Sequence, residues 1–397
     1  MKNLRIKACA VMLLATSLLS FSACQNGGGS EKTSSAGSAQ SVENSVQVSD
    51  ASADESSSEA STEESSEQSS EASKSDSSDP TDAKESGELP ALKNDDGTDL
   101  GTMTEGLLLY NRSVYEMFYG NENLAKNYAA TVNTVASALG SDVKVYNVIV
   151  PTHCGVTLPE RFFGEYGISD QKEYINTILD NLDKSVTPVN TYDIISHHRD
   201  EYIYFNTDHH WTGLGAYYAY KEFCKVAGVD YLKLSELEEG QIEGYYGSLS
   251  GSVDNSLIDA DTVHYYTADK DTETFLYDEN GENPQQTRLF HTYAEGANAY
   301  GVSLGGDTPL MVCKNKDGNG KKVAILKESY GNAFSPLIAL TYSETHMIDF
   351  RYIEFDLQKY LKDNGIDELI IINNAMASAT PIRCDEMRAL VGAETAE

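Results

Sequence analysis

Positive charge is scarce in this chain: 29 Lys plus Arg stand against 62 Asp plus Glu, a net charge of −33 over 397 residues. So acidic a balance excludes nucleic acid as a partner, because phosphates are held by basic surfaces, and leaves neutral glycans, cations or small esters as ligands. Aromatic side chains are missing altogether between Phe21 and Tyr110. From Ser30 to Ser78, 20 of 49 residues are serine, interleaved with Glu and Asp. Such a stretch cannot bury enough apolar surface to offset chain entropy, so disorder is expected. Residues 25–100 carry 18 acidic and only 4 basic side chains. Beyond the N-terminus no apolar run is long enough to span a bilayer, and no internal repeat is visible. The six cysteines form no C-x-x-C pair, so no metal cluster is signalled and a disulfide framework is not required. What remains after the tail, roughly 300 residues, suffices for one large α/β domain with a sizeable core.

The N-terminus has what the tail lacks. Lys2, Arg5 and Lys7 precede the apolar stretch Ala8 to Leu19, followed by Phe21-Ser22-Ala23-Cys24. Positive charge, a short apolar run and small residues read as a signal peptide. The small residues before a cysteine resemble the lipobox of bacterial lipoproteins, although Phe21 stands where leucine is commonest. That resemblance implies cleavage before Cys24, lipidation of Cys24, and an extracytoplasmic protein anchored to the bacterial cell membrane. The expected organisation is a signal peptide over 1–23, a disordered tether over 24–100 and a folded domain over 101–397. As a flexible coil the tether would reach about 50 Å. Cys154, Cys224, Cys313 and Cys384 are then left in the domain, with three pairings open to them.

Within the domain, strand and helix patterns alternate. Residues 124–139 have helical apolar spacing ending at Gly140, 143–150 form a β-branched run stopped by Pro151, and 169–183 place Tyr174, Ile175, Ile178, Leu179 and Leu182 on one helical face. A second alternation gives strand 323–327, helix 332–342, strand 346–350, helix 356–363 and strand 368–372. The pattern predicts an α/β fold, a parallel sheet with helices on both faces. Residues 233–321 differ, being rich in Gly, Tyr and Thr with turns at Asn280-Gly281 and Asp317-Gly318-Asn319-Gly320. They are expected to form a mostly β insertion of hairpins.

Two segments carry reactive side chains. Asp208-His209-His210-Trp211 lies between a strand-like EYIYF at 201–205 and a helix from about Gly213 to Val226. In extended backbone Asp208 and His210 point the same way, so the carboxylate can orient the imidazole and stabilise its charged form, as a general base needs. The same residues also suit a metal, with His197-His198 near in sequence, although no HExxH spacing is present. They also suit a polar loop with Thr212 as helix cap. Trp211 is either a core anchor or a flat wall for a sugar ring. The second segment is Lys327-Glu328-Ser329-Tyr330-Gly331-Asn332, where a strand ends, a serine follows and a helix begins. A hydroxyl there lies at the carboxyl edge of the sheet beside helix N–H groups, which suits either a nucleophile or an N-cap. Together the two segments have the parts of an acyl-transfer triad.

The segment FNTDHHWTGLGAYYAYKEF resembles the signature of the DHHW protein family, related to alginate O-acetyltransferases of the SGNH hydrolase superfamily. Val150-Pro151-Thr152, Gly305-Gly306-Asp307, KESYGNAFSPLI, Ile348 to Tyr352 and IIINN fit in order, covering about residues 105–380. The resemblance implies a three-layer SGNH-like domain in which Asp208 orients, His210 is the base and Ser329 the nucleophile. It implies Gly306 and Asn373 or Asn374 as oxyanion donors. His209, Trp211, Tyr330, Asn332 and Arg351 are further candidates for shaping the site or holding substrate. The family usually has Asp before this serine, where this chain has Glu328. The implied activity is O-acetyl transfer onto, or ester hydrolysis from, a cell-envelope polysaccharide, without metal or cofactor. A membrane-bound O-acyltransferase is the implied acyl donor. A glycan-binding or scaffolding lipoprotein is the alternative.

Overall fold

The computed structural model describes residues 85, 87–92, 95 and 97–393. The expected signal peptide, Cys24 and most of the expected tether lie outside the described residues. The described residues before 101 contact the domain: Glu85 pairs with the buried Lys221 and with Lys225, Arg199 donates to the Pro90 carbonyl, and Asp95 pairs with Arg161. No helix among the described residues is long and apolar enough to cross a membrane.

The domain opens with a small antiparallel sheet, β1 (Thr102–Thr104), β2 (Leu107–Tyr110) and β3 (Ser113–Tyr115). Helix α1 (Glu122–Leu139) is capped by Asn121, whose side chain accepts from the Leu124 N–H, and stops at Gly140 with φ 74°. The first sheet strand, β4 (Lys144–Val150), leads through α2 (His153–Thr157), α3 (Arg161–Tyr166) and α4 (Gln171–Asp180) to β5 (Val186–Asn190). Next come α5 (Thr191–Ser196), α6 (Gly213–Ala227), and the hairpin of β6 (Glu238–Tyr245) with β7 (Asp261–Thr267). The chain continues through β8 (Thr272–Tyr277), β9 (Gln285–Thr287), β10 (Leu310–Asn315) and β11 (Lys322–Lys327). It ends with α7 (Gly331–Thr341), β12 (Glu344–Asp349), α8 (Leu357–Asn364), β13 (Glu368–Asn374), α9 (Ala375–Ser378) and α10 (Pro381–Ala389).

Eight strands form the central sheet in the order β5-β4-β13-β11-β12-β10-β8-β9. Pairings from β5 to β12 are parallel, and β10, β8 and β9 extend the sheet in antiparallel fashion. Parallel strands bury both faces, and the alternation of side chains divides them between two cores. Val145, Ile149, Leu369 and Ile371 pack with α1, α4, α8 and α10, whereas Tyr146, Val148, Ile370 and Ile372 pack with α6 and α7. This is the expected three-layer α/β architecture.

Two local expectations change. Residues 201–205 do not form a sheet strand; Tyr204 makes an isolated bridge with Trp211, closing a tight loop. The β-rich stretch 233–321 gives three of its strands, β8, β9 and β10, to the central sheet, leaving β6 and β7 as a separate hairpin. All four domain cysteines are buried and free.

Candidate active site

Ser329 stands at the carboxyl edge of the sheet, two residues past β11. Two turn hydrogen bonds, Gly331 N–H to the Glu328 carbonyl and Asn332 N–H to the Ser329 carbonyl, both 3.0 Å, bend the chain into α7. Gly331 is needed here for close approach: a Cβ would lie 2.5 Å from the Cβ of buried Lys327. Glu328 braces the turn. Its carboxylate accepts from the Tyr330 N–H at 3.1 Å and from the Asn374 N–H at 3.0 Å, tying the Ser329 segment to the end of β13. Burial pushes the Glu328 carboxyl above its ordinary range.

The distant segment meets this serine. His210 Nε2 lies 2.8 Å from Ser329 Oγ, and His210 Nδ1 lies 2.6 Å from Asp208 Oδ1. The second oxygen of Asp208 accepts from Tyr245 Oη at 2.9 Å and from the Ser248 N–H at 2.7 Å. Burial alone would raise the Asp208 carboxyl, but His210, His209 and the Ser248 N–H outweigh it and hold it well below the usual carboxylate range. The acid is therefore ionised at neutral pH and fixes imidazole tautomer and orientation, with Nε2 facing the serine.

Each side chain singled out from sequence now has a place. Trp211 is fully buried and donates from Nε1 to the Tyr330 carbonyl at 3.0 Å, so it is the core anchor and not a sugar-facing wall. Tyr330 donates from its hydroxyl to the His209 carbonyl, locking the two segments together. His209 is half-buried, with Nδ1 2.7 Å from Ser248 Oγ. Asn332 donates to Asp307 at 2.9 Å, which brings the 304–307 turn against the Ser329 segment. In that turn Leu304, Gly305 and Gly306 all have positive φ, and the Gly306 N–H turns back on the Ser303 carbonyl at 3.3 Å. Arg351 is a structural pair with Asp349 and Asp307, 2.6 and 2.9 Å away.

The asparagine expectation needs correction. Asn373 points from β13 into the α1 layer, donating to Tyr128 Oη at 3.1 Å, because alternate strand residues face opposite sides of the sheet. It cannot serve Ser329. Asn374 uses its side-chain oxygen to cap α9 and its own N–H to hold Glu328.

Asp208, His209 and His210 bring ligand-type atoms within 4.8 Å of one another. Both Asp208 oxygens, both His210 nitrogens and His209 Nδ1 already have hydrogen-bond partners, so a metal would have to displace the Ser329–His210–Asp208 chain. His198, suggested as an added ligand, is buried elsewhere, stacked on Tyr218 and paired with Glu201.

Several residues of the site gave no signal in the sequence. Tyr300 lies parallel to the His210 ring, with centroids 4.0 Å apart and planes 16° apart, and donates to the Ser329 carbonyl at 3.1 Å. Asp261 on β7 accepts from the Asn206 and Thr207 N–H groups, both at 2.8 Å, fixing the loop just before Asp208. Gly247 must be glycine, since a Cβ there would lie 2.2 Å from the Asp208 Cβ. Glu116, partly buried and raised by burial, interacts electrostatically with His209 and Asp208. Asp261 and Gly247 come from the β6–β7 hairpin and its connection, Tyr300 from the 296–302 segment and Glu116 from just past β3, a convergence that no local spacing reveals.

Fold and site define a three-layer α/β domain with a serine, a histidine and an aspartate linked at the carboxyl edge of its parallel sheet. The chain belongs to the DHHW protein family, whose model matches residues 42–348. A DHHW family protein from Eubacterium siraeum has a similar crystal structure, at 29% identity and a TM-score of 0.67, covering 73% of this chain and 97% of that one. PatB1 of Bacillus cereus, solved with a sulfonyl adduct, is similar at 18% identity and a TM-score of 0.58, covering 70% and 97%. The O-acetyltransferase domain of Pseudomonas putida AlgJ matches at 13% identity and a TM-score of 0.43, covering 72% and 99%. No curated protein matches the chain.

Proposed function

We propose that this protein is an extracytoplasmic acyl-transfer enzyme, anchored through lipid on Cys24, that moves an O-acetyl group onto or off a cell-envelope polysaccharide. The observation that carries the reading is the unbroken chain Ser329 Oγ, His210, Asp208 at 2.8 and 2.6 Å. Ser329 Oγ attacks the ester carbonyl while His210 Nε2 takes its proton, and the imidazolium is stabilised by ionised Asp208. Collapse of the tetrahedral intermediate expels the alcohol, which takes the proton from His210, and leaves an acyl-serine. A sugar hydroxyl or water then attacks that ester, His210 again receiving the proton and returning it to Ser329. The acceptor decides between transferase and esterase. As a transferase, the enzyme would draw acetyl groups from a membrane-bound O-acyltransferase, because the cytoplasmic thioester donor is out of reach.

The test is turnover of p-nitrophenyl acetate by the purified protein and by Ser329→Ala and His210→Ala, together with labelling by a serine-directed sulfonyl fluoride. PatB1 has been captured with a sulfonyl adduct, and the shared fold makes this class of reagent the natural probe. Turnover and labelling of wild type, both lost in each variant, are expected. A wild type that neither turns over nor labels sinks the reading and leaves a glycan-binding scaffold.

A further inference from the structure

Two polar side chains beside the triad take part in no step of the proposed reaction. His209 stands between Asp208 and His210 in the chain, and its ring lies against His210 with centroids 3.9 Å apart. Ser248 Oγ holds its Nδ1 at 2.7 Å, and Tyr330 Oη donates to its carbonyl. Among the described residues its Nε2 has no hydrogen-bond partner, and 34% of the side chain is exposed. Backbone and one ring nitrogen are thus fixed, and the second nitrogen is left over.

Glu116 arrives from the small sheet. The Val114 N–H donates to the Asn206 carbonyl at 2.7 Å and Ser113 Oγ lies 2.6 Å from Asn206 Oδ1, so β3 is pinned two residues before Asp208. Glu116 follows β3 directly and lies within electrostatic reach of His209, Asp208 and Tyr330. It is partly buried, and among the described residues no hydrogen bond or ion pair holds its carboxyl. What bonds it must reach it from solvent.

The charges around the pair favour an uncharged ligand. Burial, helped by His210, lowers His209 below its ordinary value against the pull of Asp208, Glu116 and Glu328, so the ring is neutral at neutral pH. Burial also raises Glu116. An anion would meet these carboxyls. A cation would find only Glu116 open, because both oxygens of Asp208 and of Glu328 already accept hydrogen bonds. A hydroxyl donates and accepts at once, so it satisfies a neutral imidazole nitrogen and a carboxyl together.

We propose that His209 Nε2 and the Glu116 carboxyl hold one hydroxyl of the alcohol that accepts the acyl group, and so present its adjacent hydroxyl to acyl-Ser329. The pair makes the site selective for vicinal diols, the feature that separates a sugar from water; this rests on the acyl-transfer function proposed above. In the transfer, His210 Nε2 takes the proton of the adjacent hydroxyl and its oxygen bonds the acyl carbon. The bond from that carbon to Ser329 Oγ breaks, and Ser329 regains its proton from His210. The hydroxyl held by His209 and Glu116 stays intact.

The test is acetyl transfer from p-nitrophenyl acetate by the purified protein to trans-cyclohexane-1,2-diol and to cyclohexanol, two rings that differ by one hydroxyl. Monoester and free acetate are quantified by gas chromatography. Wild type is expected to favour the diol about tenfold per hydroxyl at equal concentration, the worth of one bridged hydroxyl. Glu116→Met and His209→Phe, the latter keeping a ring on His210, should each bring that ratio below about threefold. A variant that merely disturbs the triad lowers both products together and leaves the ratio unchanged. A wild-type ratio near one, or a ratio kept in either variant, overturns the pair. If wild type releases acetate and labels with sulfonyl fluoride but esterifies neither alcohol, the pair falls and the enzyme stands as an esterase. A wild type that neither turns over nor labels removes both.

Discussion

β11 delivers Ser329 from a parallel ladder in which every residue from Val323 to Lys327 is buried. The loop carrying Asp208 and His210 has the isolated Tyr204–Trp211 bridge and two single backbone bonds, from the Val114 and Leu249 N–H groups, and its carboxylate and entry are held by Tyr245, the Ser248 N–H and Asp261 of the β6–β7 hairpin and its connection. One half of the site is thus placed by repeating backbone bonds and a close-packed core. The other is placed by single bonds rather than a ladder, the strongest of them the charge-assisted ones at Asp208 and Asp261. Damage to the first region should appear as lost stability, and damage to the second as lost rate.

The largest test of that contrast is Asp208→Asn. The amide keeps the shape but loses the charge and the tautomer control, and kcat for p-nitrophenyl acetate should fall by about 10⁴. Sulfonyl labelling should slow in parallel while the fold, followed by circular dichroism, persists. Retention of more than a tenth of the wild-type rate would show that the hairpin does not supply the orienting acid.

Two glycines sharpen the comparison. At Gly247 an alanine Cβ meets Asp208, on the hairpin side; at Gly331 it meets the Lys327 stem, on the sheet side. Gly247→Ala should displace Asp208, and a shift near 1 Å costs about 10² in rate. Gly331→Ala overpacks a rigid core and should lower unfolding free energy by about 1–3 kcal/mol, measured in urea. Equal rate loss with equal stability loss in the two variants would erase the distinction.

Two carboxyls of the site, Asp208 bonded to His210 and Glu328 beside Ser329, are shifted in opposite directions. Asp208, on the hairpin side, is lowered in the fold, so its stabilising contribution is present above the unfolded value and lost as pH falls through the folded one. Glu328, on the sheet side, is raised above its ordinary value of 4.5, so stability tied to it is full below that value and declines as pH rises through the folded one. Urea unfolding across pH 3 to 8 should show Asp208→Asn with a flatter acid limb than wild type. Glu328→Gln should gain on wild type as pH rises from 4 to 7, whatever its offset. A Glu328→Gln difference that does not change with pH would show that burial of this carboxyl has no energetic consequence.

The same division governs what could be read from the sequence. Helical and strand periodicity announced α1, β4, α6, β11, α7, β12, α8 and β13 to within a few residues, because both sheet faces are buried and helix ends carry caps such as Asn121 and Thr212. The strand-to-helix junction marks Ser329 only as a candidate, nucleophile or N-cap, and Asp208-His209-His210 only as a reactive cluster; the triad roles come from the resemblance to the DHHW family. What stayed hidden depends on contacts far apart in the chain. The sequence cannot show that Tyr245, Ser248 and Asp261 converge on the 206–208 loop, or that Tyr300 lies under His210. It could not exclude Asn373 either, since that depends on which face of β13 residue 373 takes. EYIYF looked like a strand by composition but is closed into a loop by Trp211, whose burial outweighs strand propensity.

The smallest predicted effect lies where the two regions touch. Tyr300 contacts both: its ring lies on His210 and its hydroxyl holds the Ser329 carbonyl. Tyr300→Phe keeps the ring and removes one neutral hydrogen bond, a change of about 1 kcal/mol, so kcat/KM should drop only about fivefold. Tyr300→Ala removes the stack as well and should cost clearly more, with the difference between the variants measuring the ring alone. If Tyr300→Phe is as damaging as Tyr300→Ala, the hydroxyl's hold on the serine segment is the contact that matters. Alignment of the two halves would then be set from the sheet side, with His210 following the serine.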